Sequence, residues 1–70
     1  METDVAKVVE LIGQSTDSWD DAVKNAVQRA SETLDNITGV EVLNQTADIS
    51  NGELVEYKVN VKLAFGVNRK

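Results

Sequence analysis

The stretch "ISNGELVEYKVNVKLAF", residues 49–65, decides how the rest of the chain is read. Asn51-Gly52 tolerates positive φ at both central positions of a type I′ turn, so this pair marks a tight β-hairpin. After the turn the chain alternates without error. Val55, Tyr57, Val59, Val61, Leu63, Phe65 and Val67 point one way, and Glu56, Lys58, Asn60 and Lys62 the other. A strand has a side-chain period of two, so the first set is expected to pack under a helix and the second to face solvent or an interface. A strand this long and regular belongs in the centre of a sheet. The partner arm before the turn is "VEVLNQTADIS", residues 40–50.

Moving outward, the cover for that apolar face is in "QSTDSWDDAVKNAVQRASETLDN", residues 14–36. Trp19, Ala22, Val23, Ala26, Val27, Ala30 and Leu34 recur at three- and four-residue spacing and form one stripe, while Asp20, Lys24, Gln28 and Glu32 point elsewhere. Ser15, Asp17 or Ser18 can cap the helix, and Asp20 and Asp21 put negative charge at its dipole-favoured end. Three alanines in the stripe let the helix lie close against a sheet, and Trp19 reads as a core residue. Residues 5–12, "VAKVVELI", form a first strand ending at Gly13, apolar on both faces: Val9 and Leu11 on one, Val8 and Ile12 on the other. That double-sided pattern fits an edge strand with incidental valines or, the preferred reading, an outer face covered by a neighbouring subunit.

A right-handed crossover through the helix makes the first two strands parallel, with the third antiparallel between them. The expected fold is α+β: β-α-β-β, a three-stranded, antiparallel-type sheet packed on one amphipathic helix, with residues 1–70 as a single domain.

Seventy residues lie near the lower limit for a self-sufficient core. Small domains compensate with disulfides, a structural metal or oligomerisation. The chain has neither cysteine nor histidine, so self-association is the expected route. With 7 basic and 12 acidic residues the net charge is −5, which argues against a phosphate backbone as partner. No run approaches the roughly 20 apolar residues of a membrane span, and "METDVAKVVEL" has no signal-peptide plan. A cytoplasmic protein without nucleic-acid or membrane partners is the expectation.

Catalysis has little to work with. The usual general base and thiol nucleophile are missing, the Ser and Thr residues have no evident base, and no Gly-rich phosphate loop occurs. Asp20 and Asp21 are adjacent on a helix and diverge by about 100°, so they are first-turn charges rather than a catalytic pair. Hard cations need six to eight oxygens. Asp35, Asn36, Asn44, Asp48 and Asn51 offer oxygens around the hairpin, which symmetry-related copies could pool.

The order of strand, "GQS" (13–15), helix "AVKNAVQRASETLDNI" (22–37), "VEVLNQ" (40–45) and "EYKVNVKLAF" (56–65) resembles the dodecin family. "AVQRA" with "LDNI", and the hairpin that follows, are the most specific parts, and the resemblance spans residues 5–67. It implies a hollow dodecamer of small β-α-β-β subunits that stores or sequesters a ligand, in most members a flavin such as riboflavin or flavin mononucleotide. The implied cofactor-binding positions are Gly39, Asn44 and Lys58. Flavin-binding members carry a Trp that stacks on the ring where this chain has Gly39, and a Gln that contacts it where this chain has Lys58. Asn44 matches a polar position near the ribityl chain. With both ring-gripping residues replaced, the resemblance points away from flavin. Ser18-Trp19 and Ala26–Ala30 match a branch with a calcium-binding member, which makes calcium the other implied ligand without assigning its ligands. The reading is a non-enzymatic ligand-binding dodecamer. Flavin storage, and a structural or interaction module with no small ligand, are the alternatives.

Overall fold

A computed structural model of the protein describes residues 5–67. It contains β1 (Ala6–Ser15), α1 (Trp19–Ala30), β2 (Ile37–Ser50) and β3 (Glu53–Gly66). The strands lie in the order β1-β3-β2, and β3 runs antiparallel to both neighbours, so β1 and β2 are parallel as the crossover requires. Asn51 (φ 53°) and Gly52 (φ 79°) both take the positive φ that a type I′ turn demands.

The core is the seam between α1 and β3. Val59, Val61 and Leu63 are fully buried against Ala22, Ala26 and Ala30, with Val9, Leu11, Trp19, Val23, Val27, Leu34 and Ile37 packed around them. Burying each of the three large side chains stabilises the fold by about 1.5–3 kcal/mol. The alanines allow a very close approach, and Gly13 completes it. A Cβ at Gly13 would run into the Ala22 carbonyl and stand 3.0 Å from the Ala26 Cβ. Gly13 pairs with Val59, so the missing side chain lies where helix and sheet meet. Gly13 therefore does not end β1, as sequence reading expects. The strand continues to Ser15, because glycine here serves packing rather than a turn.

Of the three candidate caps, Ser18 takes the role, its Oγ accepting from the Asp21 N–H at 2.9 Å. Ser15 braces the connection instead. It is buried, donates to Asp21 Oδ2 (2.8 Å) and accepts from the Asp17 N–H (2.8 Å), while Asn25 Nδ2 donates to the Gln14 carbonyl (2.9 Å). The helix ends at Ala30, and the following turn brings Leu34 N–H onto the Ala30 carbonyl before Asn36, at φ 62°, redirects the chain into β2.

The helix lies over β1 and the C-terminal half of β3. The hairpin runs on past it, giving dimensions of 54 × 20 × 13 Å and a radius of gyration of 14.3 Å, against about 11 Å for a compact domain of this length. The expectation that every apolar residue of β3 packs under the helix thus holds for Val59, Val61 and Leu63 but fails for Val55, which is 45% exposed because no helix reaches it.

Replacing Gly13 by Ala is expected to cost about 1–3 kcal/mol by overpacking, read from urea unfolding at fixed protein concentration; wild-type stability would sink the close-approach account. Ser18→Ala should cost about 1 kcal/mol, and Ser18→Asp should recover most of it, because aspartate also caps. The same two denaturation midpoints check that pair.

Candidate functional site: the open sheet face

Residues directly opposed in antiparallel strands point to the same side, so the register sorts the two faces of the sheet. One face carries Val59, Val61 and Leu63 toward α1. The other, with no helix on it, is built in rungs across β1, β3 and β2: Val8–Ala64–Gly39, Glu10–Lys62–Glu41, Ile12–Asn60–Asn44 and Gln14–Lys58–Thr46. Asp48 and Glu56 oppose one another above these.

Gly39, Asn44 and Lys58 thus share one face of the sheet. Within one chain they do not converge. Gly39 lies opposite Ala64 and Lys58 opposite Thr46, six β3 residues apart, or roughly 20 Å at the rise of a strand. Asn44 falls between them, opposite Asn60.

Gly39 is exposed, and a Cβ added there would meet nothing within 4 Å. It borders a depression of about 190 Å³ with Val8, Val40, Glu41, Lys62 and Ala64. That is smaller than the roughly 300–1,000 Å³ of ordinary ligand pockets, so one subunit does not enclose such a ligand. No aromatic ring faces the depression. The chain has one Trp, one Tyr and one Phe, and all three belong to the helix side. Trp19 meets Tyr57 edge-on with centroids 4.9 Å apart and donates its indole N–H to the Thr46 carbonyl at 2.9 Å, which fits its expected structural role. Phe65 is opposed by Lys7 and Ile37.

Lys58 reaches diagonally across the strands to Asp48, Nζ to Oδ2 at 3.3 Å. Both side chains remain partly in water (34% and 52% exposed), so the pair orients Lys58 more than it stabilises the fold. Asp48 and its link to Lys58 are not visible in a linear pattern; the diagonal depends on a register shift between Asp48 and Ile49.

Among the described residues no three acidic side chains gather where a metal could sit. The oxygen donors named from sequence are also split. Asp35 and Asn36 precede β2, whereas Asp48 and Asn51 lie at its far end, some 14 residues away along the strand. Among the described residues of one chain, these donors therefore do not gather at one place.

A second, larger space of about 640 Å³ runs along the free edge of β1 beneath α1, with Leu11, Ile12 and Ala26 as its floor and Gln14, Asn25, Gln28, Arg29 and Glu32 around it. Sequence reasoning does not find it, since a strand edge and a helix flank create it without any motif.

Comparison with known proteins places these features in a lineage. A curated relative, calcium dodecin of Mycobacterium tuberculosis, is 33% identical over 61 residues, covering 87% of this chain and 86% of that protein. The dodecin of Streptomyces coelicolor superposes with a TM-score of 0.91 at 36% identity over the whole of both chains. The tt0972 protein of Thermus thermophilus gives 0.90 at 30% identity, covering 94% of this chain and 97% of that one. The crystal structure of calcium dodecin from M. tuberculosis, described as a calcium-chelating antigen with a novel calcium-binding site, gives 0.80 at 30% identity over 96% of each chain. The dodecin family pattern itself matches residues 5–68, from the start of the first strand to just past the last. Sequence and architecture agree over the same span, and the chain belongs to the dodecin family.

Proposed function

We propose that this protein is a non-enzymatic, self-assembling dodecin whose sheet faces combine to hold a ligand other than flavin, with calcium the first candidate. The observation that carries this reading is the aromatic inventory of the open face. Stacking a flat ring needs an aromatic partner, and the rung that ends in Gly39 offers Val8 and Ala64 instead. Apart from Ile12 the rest of the face is polar, and its charge is acidic: Lys58 and Lys62 are outnumbered by Glu10, Glu41, Asp48 and Glu56. Such a surface favours cations over anions.

Assembly into a dodecamer is the part of the proposal that makes the site complete. Calcium takes six to eight oxygens, more than one open face brings together, so its ligands would come from several copies around a symmetry axis. The identity of a relative as a calcium dodecin supports the choice of ion. Apolar residues left uncovered on the hairpin and on β2 support the choice of assembly.

Native mass spectrometry of the protein purified without added ligand is expected to give about 91 kDa, twelve times 7.6 kDa, as a closed symmetric assembly. Calorimetric titration with calcium of the assembled protein should show binding that a chelator reverses. A monomer would defeat the assembly, and a flavin-coloured preparation or a heatless calcium titration would defeat the ligand choice. Gly39→Trp combined with Lys58→Gln tests the open-face site itself. Nothing obstructs a side chain at Gly39. Restoring the stack should tighten riboflavin binding roughly 5- to 150-fold, equivalent to about 1–3 kcal/mol, measured by quenching of flavin fluorescence. Unchanged affinity would show that the ring does not sit on this rung.

A further inference from the structure

We propose that Asn51-Gly52, at the tip of the β2–β3 hairpin, is a site of spontaneous covalent modification, where the Gly52 backbone nitrogen attacks the Asn51 side-chain amide and turns it into a carboxylate. The step needs water and nothing else. A bond forms between Gly52 N and Asn51 Cγ, and the side-chain NH2 leaves as ammonia with the Gly52 proton. Water then opens the five-membered imide. Opening at Cγ leaves aspartate; opening at the main-chain carbonyl leaves isoaspartate, with the backbone routed through the side-chain carbon. One water is consumed, one ammonia is released, and nothing is oxidised or reduced.

Three observations single out this asparagine. Gly52 has no side chain to shield its nitrogen, and the space where a Cβ would stand is open to 4 Å. The last paired residues of the hairpin are Ser50 and Glu53, so the Gly52 N–H lies outside the ladder. Both turn residues are exposed. The other asparagines among the described residues, Asn25, Asn36, Asn44 and Asn60, are followed by Ala26, Ile37, Gln45 and Val61, whose side chains crowd the attacking nitrogen. The closed turn, with φ of 53° and 79° at its two residues, is not the reactive shape. Ring closure fixes the Asn51 ψ at a value that a type I′ turn does not use, so the reaction proceeds through opening of the tip. That opening is local. The flanking pair, Ile49 and Leu54, is 67% and 46% exposed, and the ladder is already irregular between Asp48 and Ile49. Few buried contacts hold the tip shut.

The two products differ in what they do to the hairpin. Aspartate keeps the turn, since Asp-Gly also suits type I′, and takes the net charge from −5 to −6. Isoaspartate adds a carbon to the main chain of a two-residue loop whose length sets the register. The Ser50–Glu53 and Ile49–Leu54 pairs loosen, and Asp48 with its link to Lys58 comes next along the strand.

Trypsin cleaves after Arg29 and Lys58 and leaves Asn36, Asn44 and Asn51 on one peptide, residues 30–58. The native protein is held for days in neutral buffer and digested, and electron-transfer fragmentation locates aspartate and isoaspartate. Conversion is expected at Asn51 with Asn36 and Asn44 intact. Asn51→Gly keeps a turn that accepts positive φ and is expected to release no ammonia. Leu54→Ala removes a cross-strand contact and is expected to speed conversion roughly 1.4- to 5-fold. Far-UV circular dichroism checks its fold, and Ile49→Ala repeats the test from the other strand. An Asn51 that stays intact in the native protein while the isolated peptide 30–58 converts overturns the site. Equal conversion at all three asparagines overturns it too. A rate unmoved by both alanine variants overturns the opening step.

Discussion

The close seam between α1 and the sheet is the constraint on which the rest of the molecule depends. With so few residues the chain cannot afford a thick core, and it builds a thin one instead. Alanines at 22, 26 and 30 press the helix backbone toward β3, and Gly13 removes the last side chain that would hold it off. That closeness buries Val59, Val61 and Leu63 completely from only one helix. It also fixes the helix over two strands, which leaves Val40 and Val42 in the middle of β2 exposed on their helix side. The uncovered strip and the well-packed core are two results of the same arrangement.

Much of this was legible in the sequence, because the strongest signals are local. Alternation from Val55 to Val67, the Asn51-Gly52 turn and the helical stripe each follow from a fixed period, and together with crossover handedness they give the strand order. What was not legible depends on distances across the fold. Gly13 looks like a stop signal in one dimension and is a packing device in three. Ser15 reads as a cap and turns out to be a brace between strand and helix. The candidate site shows the same division. That Gly39, Asn44 and Lys58 share a face could be anticipated from the family pattern, but parity along β2 is interrupted by register shifts between Ile37 and Gly39 and between Val42 and Asn44. Their separation along the sheet, and the diagonal from Lys58 to Asp48, required coordinates.

The two sides of the sheet divide the work. The helix side is apolar throughout its centre and holds all three aromatic rings, so its chemistry is that of packing. The open side alternates charge, amide and small apolar groups in rungs, so its chemistry is that of a hydrated surface with short apolar gaps. On the helix side, Trp19 joins the core to the hairpin. It sits in the first turn of α1, bonds to the Thr46 carbonyl and meets Tyr57, tying the root of the projecting hairpin to the helix.

The strand order also governs when the molecule can form. β1 and β2 are not neighbours; each pairs only with β3, which comes last in the sequence. The hairpin can close locally, as soon as its turn exists. β1 must wait for a partner that follows both the helix and β2, and closing so long a loop is entropically unfavourable until its contacts are made. The strand made first is therefore the one whose pairing partner is made last, with the helix and β2 formed in between.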